Sequence, residues 1–289
     1  MRFAMNIAQA QLIGHGARDF VNLNMNCERC AGVSRRRWYT FAMKTLMVAN
    51  WKMHPATFAD AKKLFDATKK AAAASSALVI VAPPALFIRD LTKGYRGNVE
   101  FAVQNAHFER EGAFTGEISL AQAKDANVSW VIVGHAERRA MGETNEDTKK
   151  KLVAALAIGI KVILCVGEKE RSSTGDHFTF IREQLGVAIG GMAPALLKKV
   201  VIAYEPVWAI GASTPMTARD MHEMSIFIRK TVVELIGAGG HAVRVLYGGA
   251  IDESTAAAML HEGDVTGLLV GRASADPKRI GFLLEAIEM

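Results

Sequence analysis

The chain has 289 residues, half of them hydrophobic and 22% charged, with 25 glycines and only 7 prolines. That composition excludes collagen-like, disordered and disulfide-framework proteins, and the length suits one large domain or two ordinary ones. The formal charge is +6, but +4 of it belongs to residues 1–43, where six arginines face only Asp19 and Glu28. The basic balance is therefore a property of a tail and argues poorly for a nucleic-acid partner.

Residues 1–43 are expected to form an N-terminal extension outside the fold, disordered or the product of a misassigned start, because Met43 immediately precedes the point where a regular pattern begins. The stretch is arginine-rich and nearly acid-free but poor in serine, which fits a transit peptide badly, and it has no continuous apolar run of the secretory kind. Arg35-Arg36-Arg37 beside Trp38 and Tyr39 is one short basic cluster without a nucleic-acid-binding module around it. Cys27 and Cys30 form a CxxC with no second ligand pair nearby, and structural zinc generally takes four ligands. Three cysteines are an odd number and suit a reducing, cytoplasmic setting. No run approaches the ~18 apolar residues of a membrane helix.

From Thr45 onward two textures alternate. Short aliphatic runs occur at Thr45–Trp51, Leu78–Ala82, Val99–Asn105, Trp130–His135, Lys161–Gly167, Val200–Glu205, Val243–Gly248 and Thr266–Gly271. They are apolar almost throughout, as expected of parallel strands covered on both faces. Amphipathic stretches lie between them. In Thr57–Ala71 the residues Phe58, Ala61, Leu64, Phe65 and Thr68 share one helical face. Another stretch opens Thr144-Asn145-Glu146-Asp147, an N-cap followed by acids that complement the helix dipole. Eight strands, each followed by a helix and spaced roughly thirty residues apart, predict a closed parallel (β/α)8 barrel over residues 44–289, in a single domain.

Such a barrel carries its chemistry at the carboxyl ends of its strands. The first ends Asn50-Trp51-Lys52, the fourth Gly134-His135-Ala136-Glu137-Arg138-Arg139 and the sixth Tyr204-Glu205-Pro206. Taken singly, each charged residue reads as a cap, a salt-bridge partner or a solvated side chain. Together, a carboxylate, an imidazole and an ammonium around one mouth suit proton abstraction next to a carbonyl, with the developing oxyanion stabilised by the other two. Strands seven and eight end Tyr247-Gly248-Gly249-Ala250 and Val270-Gly271-Arg272, where backbone N–H groups can approach a phosphate. Pro206-Val207-Trp208-Ala209-Ile210-Gly211-Ala212-Ser213-Thr214 is an apolar loop at the same mouth, which suits a lid that shuts over the ligand.

These segments resemble the triosephosphate isomerase family. Ala49–Met53, Gln104-Asn105, Thr115-Gly116-Glu117, Val133–Arg139, Ile163–Glu168, Ala203–Gly211, Tyr247–Gly249 and Val270-Gly271 match its motifs in family order across essentially all of residues 44–289. The resemblance implies that Glu205 shuttles a proton between the two carbons of dihydroxyacetone phosphate and glyceraldehyde 3-phosphate, a step of glycolysis and gluconeogenesis. It makes His135 a neutral electrophile, Lys52 a source of positive charge, Asn50 a polar contact and Glu137 the carboxylate beside the lysine and histidine. Phosphate would be held by backbone N–H groups of Gly211, Ala250, Gly271 and Arg272, with Gly249 in the same loop. The lid would comprise Pro206, Val207, Trp208, Ala209, Ile210 and Ser213. No metal or organic cofactor is implied. The family is typically homodimeric, with the loop around Thr115 beside the partner's site and Arg138 pairing with Glu117 across the interface.

The chain departs from the family pattern at Ala136 and Ala250, where serine is usual, at Arg272, where glycine is common, and along Ala212–Pro215. Ser213 is expected to supply a hydroxyl from the lid in place of the one missing at Ala250. Two alternatives are a same-fold isomerase of a four-carbon keto-sugar phosphate, which would keep the same reacting residues, and a decayed, non-catalytic barrel. The second predicts loss of Glu205, His135 or Lys52, and all three are present.

Overall fold

Eight parallel strands close on themselves in chain order: β1 Leu46–Asn50, β2 Leu78–Ala82, β3 Glu100–Val103, β4 Trp130–Val133, β5 Lys161–Val166, β6 Val200–Tyr204, β7 Arg244–Tyr247 and β8 Gly267–Val270. The computed structural model describes residues 44–172, 174–209 and 216–288. The expectations for residues 1–43, including Cys27, Cys30 and the Arg35-Arg36-Arg37 cluster, lie outside the described residues. β8 closes onto β1, from Leu46 opposite Gly267 to Ala49 opposite Val270, so the sheet has no free edge.

The near-continuous apolar texture of the strands has a direct cause, because alternate residues enter two different cores. Leu46, Val48, Ile80, Ile132, Ile163 and Leu246 fill one, inside the barrel, while Met47, Val79, Val131, Leu164, Ile202 and Val245 pack outward in the other, against the helices. Each fully buried aliphatic side chain contributes roughly 1.5–3 kcal/mol relative to exposure. Toward the carboxyl ends the interior positions become small, at Ala82, Cys165 and Ala203, which leaves room above them for larger polar groups.

The helices follow the local signals. Thr57 caps Phe58–Ala73 by accepting from the Asp60 N–H, and Ala61, Leu64, Phe65 and Thr68 are buried. Phe58 is the exception: predicted on the buried face, it stands in the first turn 38% exposed, with its ring 6.0 Å from that of Phe87. Thr144 and Asp147 form a reciprocal capping box at the start of Asn145–Ala157. Several predicted strands overran their carboxyl ends by one or two residues. Gln104, Asn105 and His135 leave the ladder, with side chains that bond elsewhere at the barrel mouth, whereas Glu205, one residue past β6, still donates its N–H to the Val166 carbonyl at 2.8 Å. Among the described residues, no helix is long and apolar enough to cross a membrane.

Candidate active site

The carboxyl ends of β1, β4, β6, β7 and β8 surround a cavity of about 450 Å³ whose lining includes Asn50, Lys52, His135, Glu205, Gly249 and Arg272. Two strand ends meet directly. The Nε2 of His135 lies 3.0 Å from Oε1 of Glu205, and both side chains are almost wholly buried. The second carboxylate oxygen of Glu205 accepts the N–H of Ala136 at 2.9 Å. A main-chain donor thus reaches the carboxylate at the position where the family usually has serine.

His135 is the N-cap of the short helix Ala136–Ala140, and its Nδ1 accepts the N–H of Glu137 at 3.2 Å. A nitrogen that accepts an N–H carries no proton itself, so the ring is neutral with its hydrogen on Nε2, directed at Glu205. The helix start supplies this lock because its first N–H groups have no intrahelical partner.

Lys52 has a left-handed backbone, φ 53°, which a non-glycine residue adopts only when the surroundings hold it there. Gln104 provides that hold. Its Nε2 donates to the carbonyls of Lys52 at 2.7 Å and Ala82 at 2.8 Å, while the Lys52 N–H bonds Oδ1 of Asn50 at 3.1 Å. The Lys52 ammonium then meets Glu137 at 2.7 Å and stands over Gly271, where an added Cβ would come within 3.6 Å of Nζ. Glu137 does not line the cavity. It connects Lys52 to the His135 helix, with Oε2 3.8 Å from Nδ1.

Gly249, Ala250, Gly271 and Arg272 form the opposite wall of the same cavity. Arg272 is exposed and makes no ion pair among the described residues, whereas neighbouring Arg279 is held in a fork by Glu253 at 2.7 and 2.5 Å. Asp252 and Thr255 join this wall by closing a turn on themselves. Beneath Glu205 the fully buried Cys165 keeps its proton, since burial and then the carboxylate's charge push its pKa well up.

The start of the predicted lid is anchored on Glu168, two residues past the end of β5. Val207, Trp208 and Ala209 form a single tight turn. The indole N–H of Trp208 donates to Oε1 of Glu168 at 2.8 Å, an oxygen that also accepts the Tyr204 hydroxyl at 2.7 Å. Ile210, Gly211 and Ser213 lie outside the described residues. Thr115 and Glu117 are exposed on the loop after β3, and no ion pair joins Glu117 to Arg138 within the chain.

Reading the sequence assigned no role to Gln104, Glu168, Arg139 or Glu143, although the first three fall inside segments that match the family. Each acts on a main-chain group or on a residue distant in the chain, a relationship that spacing does not reveal. Among the described residues there is no group of three or more His, Cys, Asp or Glu side chains arranged to hold a metal ion.

The family model described as triosephosphate isomerase matches residues 45–287. A curated relative, the triosephosphate isomerase of Aquifex aeolicus (strain VF5), is 39% identical over 239 residues, spanning 82% of this chain and 96% of the relative.

Proposed function

Because the chain belongs to the triosephosphate isomerase family, we propose that this cavity interconverts dihydroxyacetone phosphate and glyceraldehyde 3-phosphate, with Glu205 as the base. The observation that carries the assignment of roles is the His135–Glu205 pair, a buried carboxylate 3.0 Å from a neutral imidazole N–H. Glu205 removes a proton from the carbon beside the substrate carbonyl, and negative charge develops on the carbonyl oxygen. The Nε2 hydrogen of His135 and the Lys52 ammonium stabilise that oxygen, and Asn50 adds a polar contact. Nε2 of His135 gives its proton to the former carbonyl oxygen and takes one back from the neighbouring hydroxyl oxygen, and Glu205 returns the carbon-bound proton to the neighbouring carbon, so that carbonyl and hydroxyl exchange places. Hydrogen moves between adjacent carbons and no net oxidation occurs, so the chemistry requires no cofactor.

In the free site both oxygens of Glu205 are engaged, one by His135 and one by Ala136. Substrate must therefore displace the imidazole from the carboxylate, and its own oxygens take over that donor. Glu137 holds the Lys52 ammonium at 2.7 Å, so the lysine reaches the substrate from a fixed anchor. The phosphate sits at the wall formed by Gly249, Ala250, Gly271 and Arg272.

The active unit is a homodimer. Met53, Leu86, Phe114 and Met141 are exposed large hydrophobics on the segments after β1, β2, β3 and β4, four neighbouring strands. One side of the barrel mouth therefore presents apolar side chains together, beside Thr115, Glu117 and Arg138. The free thiol of Cys165 suits a reducing cytoplasm, where an isomerase that runs in both directions serves glycolysis and gluconeogenesis alike.

A coupled assay on the purified protein tests this reading, with specificity constants measured for triose phosphates and for a four-carbon keto-sugar phosphate, and light scattering for the dimer. Faster turnover of the triose supports it. Preference for the longer sugar, or no isomerisation of either, rejects it.

A further inference from the structure

The backbone ladder between β4 and β5 ends at Val133 opposite Leu164, one residue short of Gly134 and two short of His135. Past that point side chains take over. Nε of Arg139 donates to the carbonyl of Gly134 at 2.7 Å, Nη2 to the carbonyl of Cys165 on β5 at 3.3 Å, and Nη1 to Oδ1 of Asn145 at 2.6 Å. The backbone N–H of Arg139 donates to the carbonyl of His135 at 3.0 Å. From the other side, the buried carboxylate of Glu143 accepts the Gly134 N–H at 2.7 Å and is itself paired with Lys151 at 2.6 Å.

Gly134 has φ +72°, and a Cβ there would stand 2.8 Å from Nη2 of Arg139 and 2.9 Å from the Cys165 carbonyl. The chain turns out of the sheet at this residue, and its two polar main-chain groups are both gripped by side chains. Without those bonds the turn would have to be held by a glycine, which is conformationally permissive. Arg139 pairs with no carboxylate among the described residues, although burial is strong enough to lower its pKa. All three side-chain bonds go to neutral oxygens, on Gly134 just past β4, on β5 and at the start of the helix Asn145–Ala157. A guanidinium is suited to this because its donors form a rigid planar fork, which an ammonium on a flexible stem does not reproduce.

We propose that Arg139 is a positioning residue for His135, extending the β4–β5 seam beyond the backbone ladder and thereby setting where the imidazole meets Glu205. The proposal rests on the role assigned above to His135. Displacing a reacting group by ~1 Å can cost ~100-fold in rate, so the effect falls on turnover more than on substrate binding.

The test compares the full wild-type chain with Arg139→Lys and Arg139→Met. It measures circular dichroism, melting temperature, kcat and KM for dihydroxyacetone phosphate, and the 15N shifts of the His135 ring. Both variants are expected to keep the wild-type circular dichroism. In Arg139→Met kcat falls about 10- to 100-fold with KM within about threefold of wild type, and Arg139→Lys loses less. The His135 shifts, expected in wild type to report a bare Nδ1 and a protonated Nε2, should average or broaden in both. A lowered melting temperature with wild-type kcat and wild-type His135 shifts overturns the proposal, since Arg139 is then only a staple of the fold. Should Arg139→Met fail to fold, Arg139→Lys decides by the same two readings, because it keeps the charge and loses the fork. If wild-type protein itself does not isomerise the triose, the fault lies with the proposed reaction, and the His135 shifts still judge Arg139.

Discussion

Oε1 of Glu205 just past β6 and Nε2 of His135 after β4 stand 3.0 Å apart across the barrel mouth, although Ala136, the next donor to that carboxylate, is 69 positions from Glu205 in the chain. The contact makes a strong demand on length. In Glu205→Asp the carboxylate retreats by about one carbon–carbon bond, and kcat is expected to drop ~100-fold with KM little changed. Replacing the imidazole in His135→Gln should lower kcat by ~10²–10³, the usual loss for one oxyanion donor. Steady-state kinetics in both reaction directions check the pair, and a KM effect without a kcat effect would contradict the assigned roles.

Arg272 offers a positive charge at the cavity wall proposed to hold phosphate, without an ion-pair partner among the described residues. Arg272→Gly should raise KM for the phosphorylated substrate about two- to fivefold, the scale of an exposed charge pair, and leave kcat in place. Because exposed charges are screened by salt, the gap between wild type and variant should close as ionic strength rises. A gap that persists in high salt would assign the effect to backbone shape.

Gly167 touches the main chain that carries the base. A Cβ on it would stand only 1.8 Å from the Glu205 carbonyl oxygen, and that atom is backbone, unable to swing aside. Gly167→Ala is expected to cost at least ~1–3 kcal/mol by overpacking and to depress kcat as well, since Glu205 must shift. Urea unfolding and turnover measured on the same preparation test both parts.

At the opposite end of the barrel Glu100 is half-buried. Burial alone would raise its pKa, but hydrogen bonds from Trp130, Lys161 and Ser129 outweigh that and hold it below the ordinary carboxylate range. A lowered carboxylate contributes stability that is fully present above its unfolded pKa and lost as pH falls through the folded one. Glu100→Gln should therefore be less stable than wild type at neutral pH, with the difference shrinking below about pH 4. Chemical denaturation at pH 7 and pH 3 measures it, and a difference constant with pH would refute the assignment.

Much of the architecture could be read directly from residue order. Strands with two buried faces are apolar at every position, and a barrel has exactly such strands, so the eight runs stood out without reference to contacts. Their ends were less clear: Gln104 and His135 continue a strand-like texture but bond across the mouth, and Glu205 keeps a main-chain bond to Val166 while its carboxylate reaches across the mouth. Phe58 was misplaced because helical periodicity specifies a face and says nothing of where that face first meets the core.

Residue order alone determined the barrel, the family likeness and the identity of the carboxylate, imidazole and ammonium at three strand ends, because those depend on local period and on motif. Tertiary structure decided the rest: the proton on Nε2 of His135, the left-handed Lys52 held by Gln104, the Ala136 N–H at Glu205, and the grip of Arg139 and Glu143 on Gly134. The bonds of Gln104 and Ala136 join groups 52 and 69 residues apart, which closure of the barrel brings within about 3 Å of one another, while those at His135 and Gly134 join residues two to nine apart and depend on the turn that the chain makes after β4.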